Sequence, residues 1–206
     1  MIRSFLKTYH TGFVYALREL NMDQVSRIVN LIFKAYKQRR KILIVGNGGS
    51  AATASHFVCD LCKTAMLPGL PPVRAISLSD NIPLVTAYGN DMGYEHIFSE
   101  QVAILADPGD LLVVISGSGN SPNILRALTT AGELGLTTAG LLGFGGGQAL
   151  ELCDEAVVLS STLYGPVEDI HMFITHSIAD CLKQLLLFDK TAEKVDQSGV
   201  CSVAAN

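Results

Sequence analysis

The sequence predicts an α/β fold: a parallel sheet of about five strands with helices on both faces, preceded by a helical extension. Three observations point there. Continuous apolar runs such as KILIVG (41–46) and LLVVIS (111–116) suit strands covered on both faces. Gly/Ser-rich loops follow these runs and open into helical periodicity, the alternation of a parallel sheet. Residues 1–40 carry helical periodicity and no strand run.

Taken in order, Phe5, Tyr9, Phe13, Ala16, Leu17 and Leu20 recur at helical spacing, and Val25, Ile28, Val29, Ile32, Phe33 and Tyr36 form a second stripe. Asn21-Met22-Asp23 breaks the two, with Asp23 the expected N-cap. After the strand at 41–46 and its Gly loop, a helix runs to about residue 65, and Pro68, Pro71 and Pro72 mark a loop. Val73–Leu78 reads as a strand, Ile82–Tyr88 and Glu95–Leu105 as helices, and Pro108-Gly109-Asp110 as a turn into the strand at 111–116. Pro122 suits the first turn of the next helix. Thr138–Leu142 and Ala156–Leu159 are further strands, Gly143–Gly147 a flexible loop, and Pro166–Leu187 the last helix. From about Thr191 the periodicity fades, as in a frayed end. The chain thus divides into a helical hairpin at 1–40 suited to oligomerisation, a domain at 41–190, and a flexible tail at 191–206.

Composition narrows the function classes. Fifteen Lys+Arg against nineteen Asp+Glu give a net charge of −4, which disfavours nucleic acid as a partner. No run reaches the ~18 apolar residues of a membrane span. Lys7, His10 and Arg18 interrupt any signal-peptide core, so a cytoplasmic location is expected. A mean hydropathy of +0.34 implies apolar surface buried between subunits. The five cysteines, Cys59, Cys62, Cys153, Cys181 and Cys201, are odd in number, which argues against a disulfide framework. The Cys59/Cys62 pair lies in an apolar helical run without a second pair to complete a zinc site, so the thiols are expected in the core.

Four features can carry chemistry. Gly46-Asn47-Gly48-Gly49-Ser50 links a strand to a helix and can offer backbone N–H groups to an anion, or serve as a plain tight turn. It lacks the spacing of a dinucleotide loop and the lysine of a P-loop. Ser116-Gly117-Ser118-Gly119-Asn120-Ser121-Pro122 has more hydroxyls than a turn needs, and such groups hold a phosphate without a cation. His56 and Asp60, four residues apart, share one helix face, as an ion pair, a metal pair or a proton relay. Glu168 and His176, eight residues apart, point the same way from the last helix. Together these four side chains would make a tetrahedral set suited to zinc. Asp169 and His171 read as structural or interfacial, and His10 and His96 have no supporting context.

These blocks, in this order, resemble the phosphoheptose isomerases among the sugar isomerase (SIS) domains. The resemblance is carried by GNGGSAATASHF (46–57), SDNIPLVTAYGNDMGYEHIFSEQV (79–102), ISGSGNSPNIL (115–125) and EDIHMFITH (168–176). It implies a flavodoxin-like sheet, a homotetramer with a site shared between subunits, and conversion of sedoheptulose 7-phosphate to D-glycero-D-manno-heptose 7-phosphate in heptose biosynthesis. It further implies substrate contacts from Asn47, Gly48, Gly49, Ser50, Asn90, Asp91 and Glu168, and a phosphate loop of Ser116, Gly117, Ser118 and Ser121. It also implies one Zn2+ held by His56, Asp60, Glu168 and His176, with Asp60 and His176 as the catalytic acid/base pair.

Three positions depart from the family pattern. Asp60 stands where Glu is usual, withdrawing the carboxylate by roughly 1.5 Å, and a ~1 Å misplacement can cost about a hundredfold in rate. Glu168 replaces Gln, adding a charge that tightens a divalent cation but weakens its pull on a carbonyl. Gly117 replaces Thr, removing a hydroxyl. Two alternatives follow from these departures: a non-catalytic sugar-phosphate-binding adaptor of a partner protein, and an isomerase of a different phosphorylated ketose.

Overall fold

The computed structural model describes the backbone of residues 1–199 and the side chains of residues 1–191. Two amphipathic helices, α1 (Ile2–Arg18) and α2 (Met22–Lys37), precede the sheet. Asn21, rather than Asp23, caps α2: its backbone is extended and its side chain accepts from the N–H groups of Asp23 and Gln24. Asp23 lies in the first turn, where its charge favours the positive helix end.

The strands are β1 (Lys41–Gly46), β2 (Arg74–Ser77), β3 (Leu111–Ser116), β4 (Thr137–Leu142) and β5 (Glu155–Val158). They form one parallel sheet in the order β2-β1-β3-β4-β5. This is the flavodoxin-like order, and the strand order reverses between β1 and β3. The connecting helices are α3 (Gly49–Cys59), α4 (Ile82–Asp91), α5 (Ser99–Leu105), α6 (Pro122–Glu133) and α7 (Tyr164–Gly199). Each central strand is buried along its length because alternate residues feed opposite layers. Ile42, Ile44, Val113 and Ile115 pack with α2, α3 and α7, while Leu43, Val45, Leu112 and Val114 pack with α5 and α6.

Several expectations need correction. The helix expected at Glu95–Leu105 is a 3₁₀ turn (Tyr94–His96) followed by α5, because consecutive Ile97 and Phe98 both enter the core. The segment Gly143–Gly147 is tied down rather than flexible. Gly143 N–H donates to the Ser116 carbonyl, and Gly145 N–H to that of Leu159. Backbone helix continues past Thr191 to Gly199, where a frayed end was expected; residues 200–206, with Cys201, lie outside the described residues. Cys59, Cys62 and Cys181 are exposed, since Phe57, Leu61 and Ala65 take the core-facing positions around the first pair. Cys153 is the more buried thiol, and burial pushes it up to about 12. Among the described residues no helix is long and apolar enough to cross a membrane.

Candidate active site

The loops after β1 and β3 emerge side by side at the reversal point, where open α/β sheets take their ligands. Between them lies a cavity of about 100 Å³ lined by Asn47, Ser50, Ile115, Ser116, Gly117, Ser118, Ser121, Tyr164 and Glu168. The Ser116 hydroxyl accepts from Gly119 N–H (3.0 Å), which curls the loop around the cavity. The Ser118 hydroxyl accepts from Asn120 N–H (3.2 Å). Ser121 is the N-cap of α6, yet its hydroxyl makes no capping bond and is available to a ligand. Helices α3 and α6 both begin at this cradle, so their positive ends face it. Its single charged side chain among the described residues is Glu168, a carboxylate.

The β3 loop is braced from behind. A Cβ at Gly119, whose φ is +64°, would fall 1.9 Å from the Gly146 carbonyl oxygen, so the two loops meet backbone to backbone. A reciprocal amide pair ties the β1 loop to the first turn of α6: Asn47 donates to Asn123 (2.9 Å) and Asn123 to Asn47 (2.8 Å). The Tyr94 hydroxyl adds a bond to Asn47 (3.3 Å).

A second constellation lies farther along α3. His56 sits in its last turn, Asp60 begins a π-helical turn (Asp60–Thr64), and His176 comes from α7. The His56 and His176 Nε2 atoms are 2.9 Å apart, and Asp60 Oδ2 lies 3.3 and 3.6 Å from them. Donors around a tetrahedral zinc bonded at ~2.0–2.1 Å stand about 3.3 Å apart, so this triangle has the size of a zinc face. Asp60 Oδ2 is buried without a hydrogen-bond partner, as expected of an oxygen that awaits a cation. All three donors belong to one chain.

Glu168 is not part of that triangle. It precedes His176 by eight residues, about 12 Å of helix rise, and therefore meets the start of α3 rather than its end. Its carboxylate covers Gly49: a Cβ there would sit 2.7 Å from Oε2. From the first loop, Asn47 and Ser50 line the cavity, whereas Gly48 and Gly49 shape the turn without lining it. Asn90 and Asp91 are exposed at the end of α4 and bond to each other (2.7 Å), away from the cradle lining. Asp169 is structural, accepting from the Tyr9 hydroxyl of α1 (2.9 Å). That bond, with the charge of Asp169, pushes the Tyr9 phenol above its usual range.

Sequence reasoning missed Asn123, Tyr94, Tyr164 and Thr64. Tyr164 explains one departure: a Cβ at Gly117 would lie 3.0 Å from its ring, which itself packs edge-on against Phe144. The aromatic ring takes the room that a side chain at 117 would need. The signals for Asn123, Tyr94 and Tyr164 were faint, since each acts through a neighbour distant in sequence, whereas Thr64 stands only four residues after Asp60.

Comparison with known proteins bears on the whole arrangement. The SIS domain family matches residues 8–143. The phosphoheptose isomerase of Trichlorobacter lovleyi is 42% identical over 162 residues, 78% of this chain and 81% of that protein. The phosphoheptose isomerase of Bradyrhizobium sp. is 38% identical over 190 residues, 92% of this chain and 96% of that protein. Among solved structures, phosphoheptose isomerase from Neisseria gonorrhoeae superposes with a TM-score of 0.83 at 28% identity, covering 89% of this chain and all (100%) of that one. Matched over nearly the full length of such relatives, the chain belongs to the phosphoheptose isomerase family of SIS-domain proteins.

Proposed function

We propose that the protein is an aldose–ketose isomerase that converts sedoheptulose 7-phosphate to D-glycero-D-manno-heptose 7-phosphate through an enediol. One observation supports it above the others: the serine cradle lies at the starts of α3 and α7, and the donor triangle lies about two turns further along both helices. From Ser50 to His56 α3 rises about 9 Å, and from Glu168 to His176 α7 rises about 12 Å. An open-chain seven-carbon sugar phosphate reaches about 10 Å from C1 to phosphorus, given ~1.5 Å bonds in a zigzag. One such molecule can be gripped at its phosphate and worked on at its carbonyl.

Ser116, Ser118, Ser121 and the N-termini of α3 and α6 bind the phosphate, and that remote binding energy orients the reacting end. Asn47, Gly48, Gly49, Ser50, Glu168, Asn90 and Asp91 are assigned to substrate, the last two to sugar hydroxyls beyond the cradle. The Asp60 carboxylate removes the proton from C1 of the ketose, and a proton returns to C2 to give the aldose. His176 serves as the complementary acid at the neighbouring oxygen. The donor triangle fits a divalent ion, and we assign it Zn2+ held by His56, Asp60 and His176; bound there, zinc supplies electrostatic stabilisation of enediolate charge. Three protein ligands are the usual complement of a catalytic zinc with an open position.

We assign the assembled form as a cytoplasmic homotetramer. The outward apolar face of α1 (Ile2, Phe5, Leu6) and an apolar groove of about 550 Å³ between α2 and α7 support burial against other copies.

A proton-NMR time course of zinc-supplemented protein with sedoheptulose 7-phosphate tests the assignment. Aldose signals are expected to grow. Binding without them would favour the adaptor reading, for which Asp60 and the anionic Glu168 beside the cradle are the supporting observations. Conversion of a shorter ketose phosphate in preference would move the substrate assignment.

A further inference from the structure

We propose that Thr64 is a positioning residue for Asp60, supplying the fixed orientation that this short carboxylate needs to act as a metal ligand. The inference rests on the zinc assignment above. Asp60 reaches both imidazoles although an aspartate is one methylene shorter than the glutamate usual in the family. The local backbone is part of the reason: α3 widens at Asp60 into the π-helical turn, closed by Ala65 N–H donating to the Asp60 carbonyl (2.8 Å). Single π turns inserted in helices recur at functional sites because they redirect side chains.

The side chain is then pinned. The Thr64 hydroxyl donates to Asp60 Oδ1 (3.1 Å). Among the described residues no other donor reaches this carboxylate apart from the two imidazoles. With Oδ1 engaged, Oδ2 is left buried, unbonded and directed at His56 and His176. Rotation about χ2 of an aspartate is broad when nothing restrains it. The hydroxyl therefore selects one carboxylate plane and presents one oxygen. Hydrogen-bond partners of ligating carboxylates are typically worth ~10–100-fold in metal affinity.

The test is the zinc dissociation constant of the full chain, measured by competition with a chromophoric chelator. Thr64→Val keeps the shape and removes the hydroxyl, and Thr64→Ser keeps the hydroxyl. Thr64→Val is expected to weaken zinc binding about tenfold or more, with Thr64→Ser within about twofold of the parent. The melting temperature of the zinc-free proteins is expected to be the same, since Thr64 is exposed and buries no core surface. Equal affinity in the parent and Thr64→Val would overturn the positioning role and leave the metal centre standing. Equal loss in both variants would overturn it too, by showing that the hydroxyl is not what matters. A parent that binds no zinc would remove the metal centre itself and the proposal with it.

Discussion

Asp60 Oδ2 is a buried oxygen without a donor, facing two imidazole nitrogens. Leaving such a group unpaired costs about 1–3 kcal/mol or more, a cost that structural sites avoid and functional sites accept. If this triangle performs the proton transfer, Asp60→Asn and His176→Ala each lower kcat by about a hundredfold or more without lowering the melting temperature; unchanged turnover in both would contradict the assignment. Gly117 yields a second expectation. Threonine at this position would restore a family hydroxyl, but its Cβ would meet the Tyr164 ring at 3.0 Å. Overpacking of that kind costs about 1–3 kcal/mol, so Gly117→Thr should lose stability of that order in urea unfolding. Unchanged stability would show that the ring yields to the new side chain. At this scale the sequence was informative where spacing alone joins residues, as with His56 and Asp60. It was silent on Tyr164 and Gly117, whose meeting depends on the path of two distant loops.

Helices α3 and α7 do most of the positioning, because each carries a cradle residue near its start and a donor later on. The strands were legible as unbroken apolar runs, and the loops that follow them as Gly/Ser clusters. Less legible were the π turn at Asp60, whose residues read equally well as α-helix, and the splitting of 95–105, which the burial of adjacent Ile97 and Phe98 imposes. Gly143–Gly147 read as loose because glycines permit freedom. In the fold they permit contact instead: the Gly146 carbonyl packs on Gly119 only because residue 119 has no side chain. Gly119→Ala adds a Cβ 1.9 Å from a carbonyl oxygen at a φ of +64°, so urea unfolding should show a loss of about 3 kcal/mol. A loss below about 1 kcal/mol would mean that the two loops separate easily.

For the whole molecule, the sheet, its helices and the hairpin bury a core that also encloses the imidazole of His171, at 1% exposure. Burial lowers its pKa from 6.5 to about 4. The unfolded chain takes up this proton below about pH 6.5, while the folded chain refuses it until about pH 4. Stability from this residue is therefore lost as pH falls through that window, by about 3 kcal/mol in all. His171→Leu removes that dependence, so in urea unfolding the variant should gain on the parent by that order between pH 7 and pH 4. Parallel curves would show that the imidazole protonates equally in both states. In the proposed reaction one phosphosugar bridges the cradle and the triangle. Its most direct test is a crystal structure of the Asp60→Asn variant with sedoheptulose 7-phosphate. The phosphate should lie against Ser116, Ser118 and Ser121, with C1 and C2 beside His56 and His176. A sugar whose phosphate binds elsewhere, or whose carbonyl end points away from the two imidazoles, would contradict it.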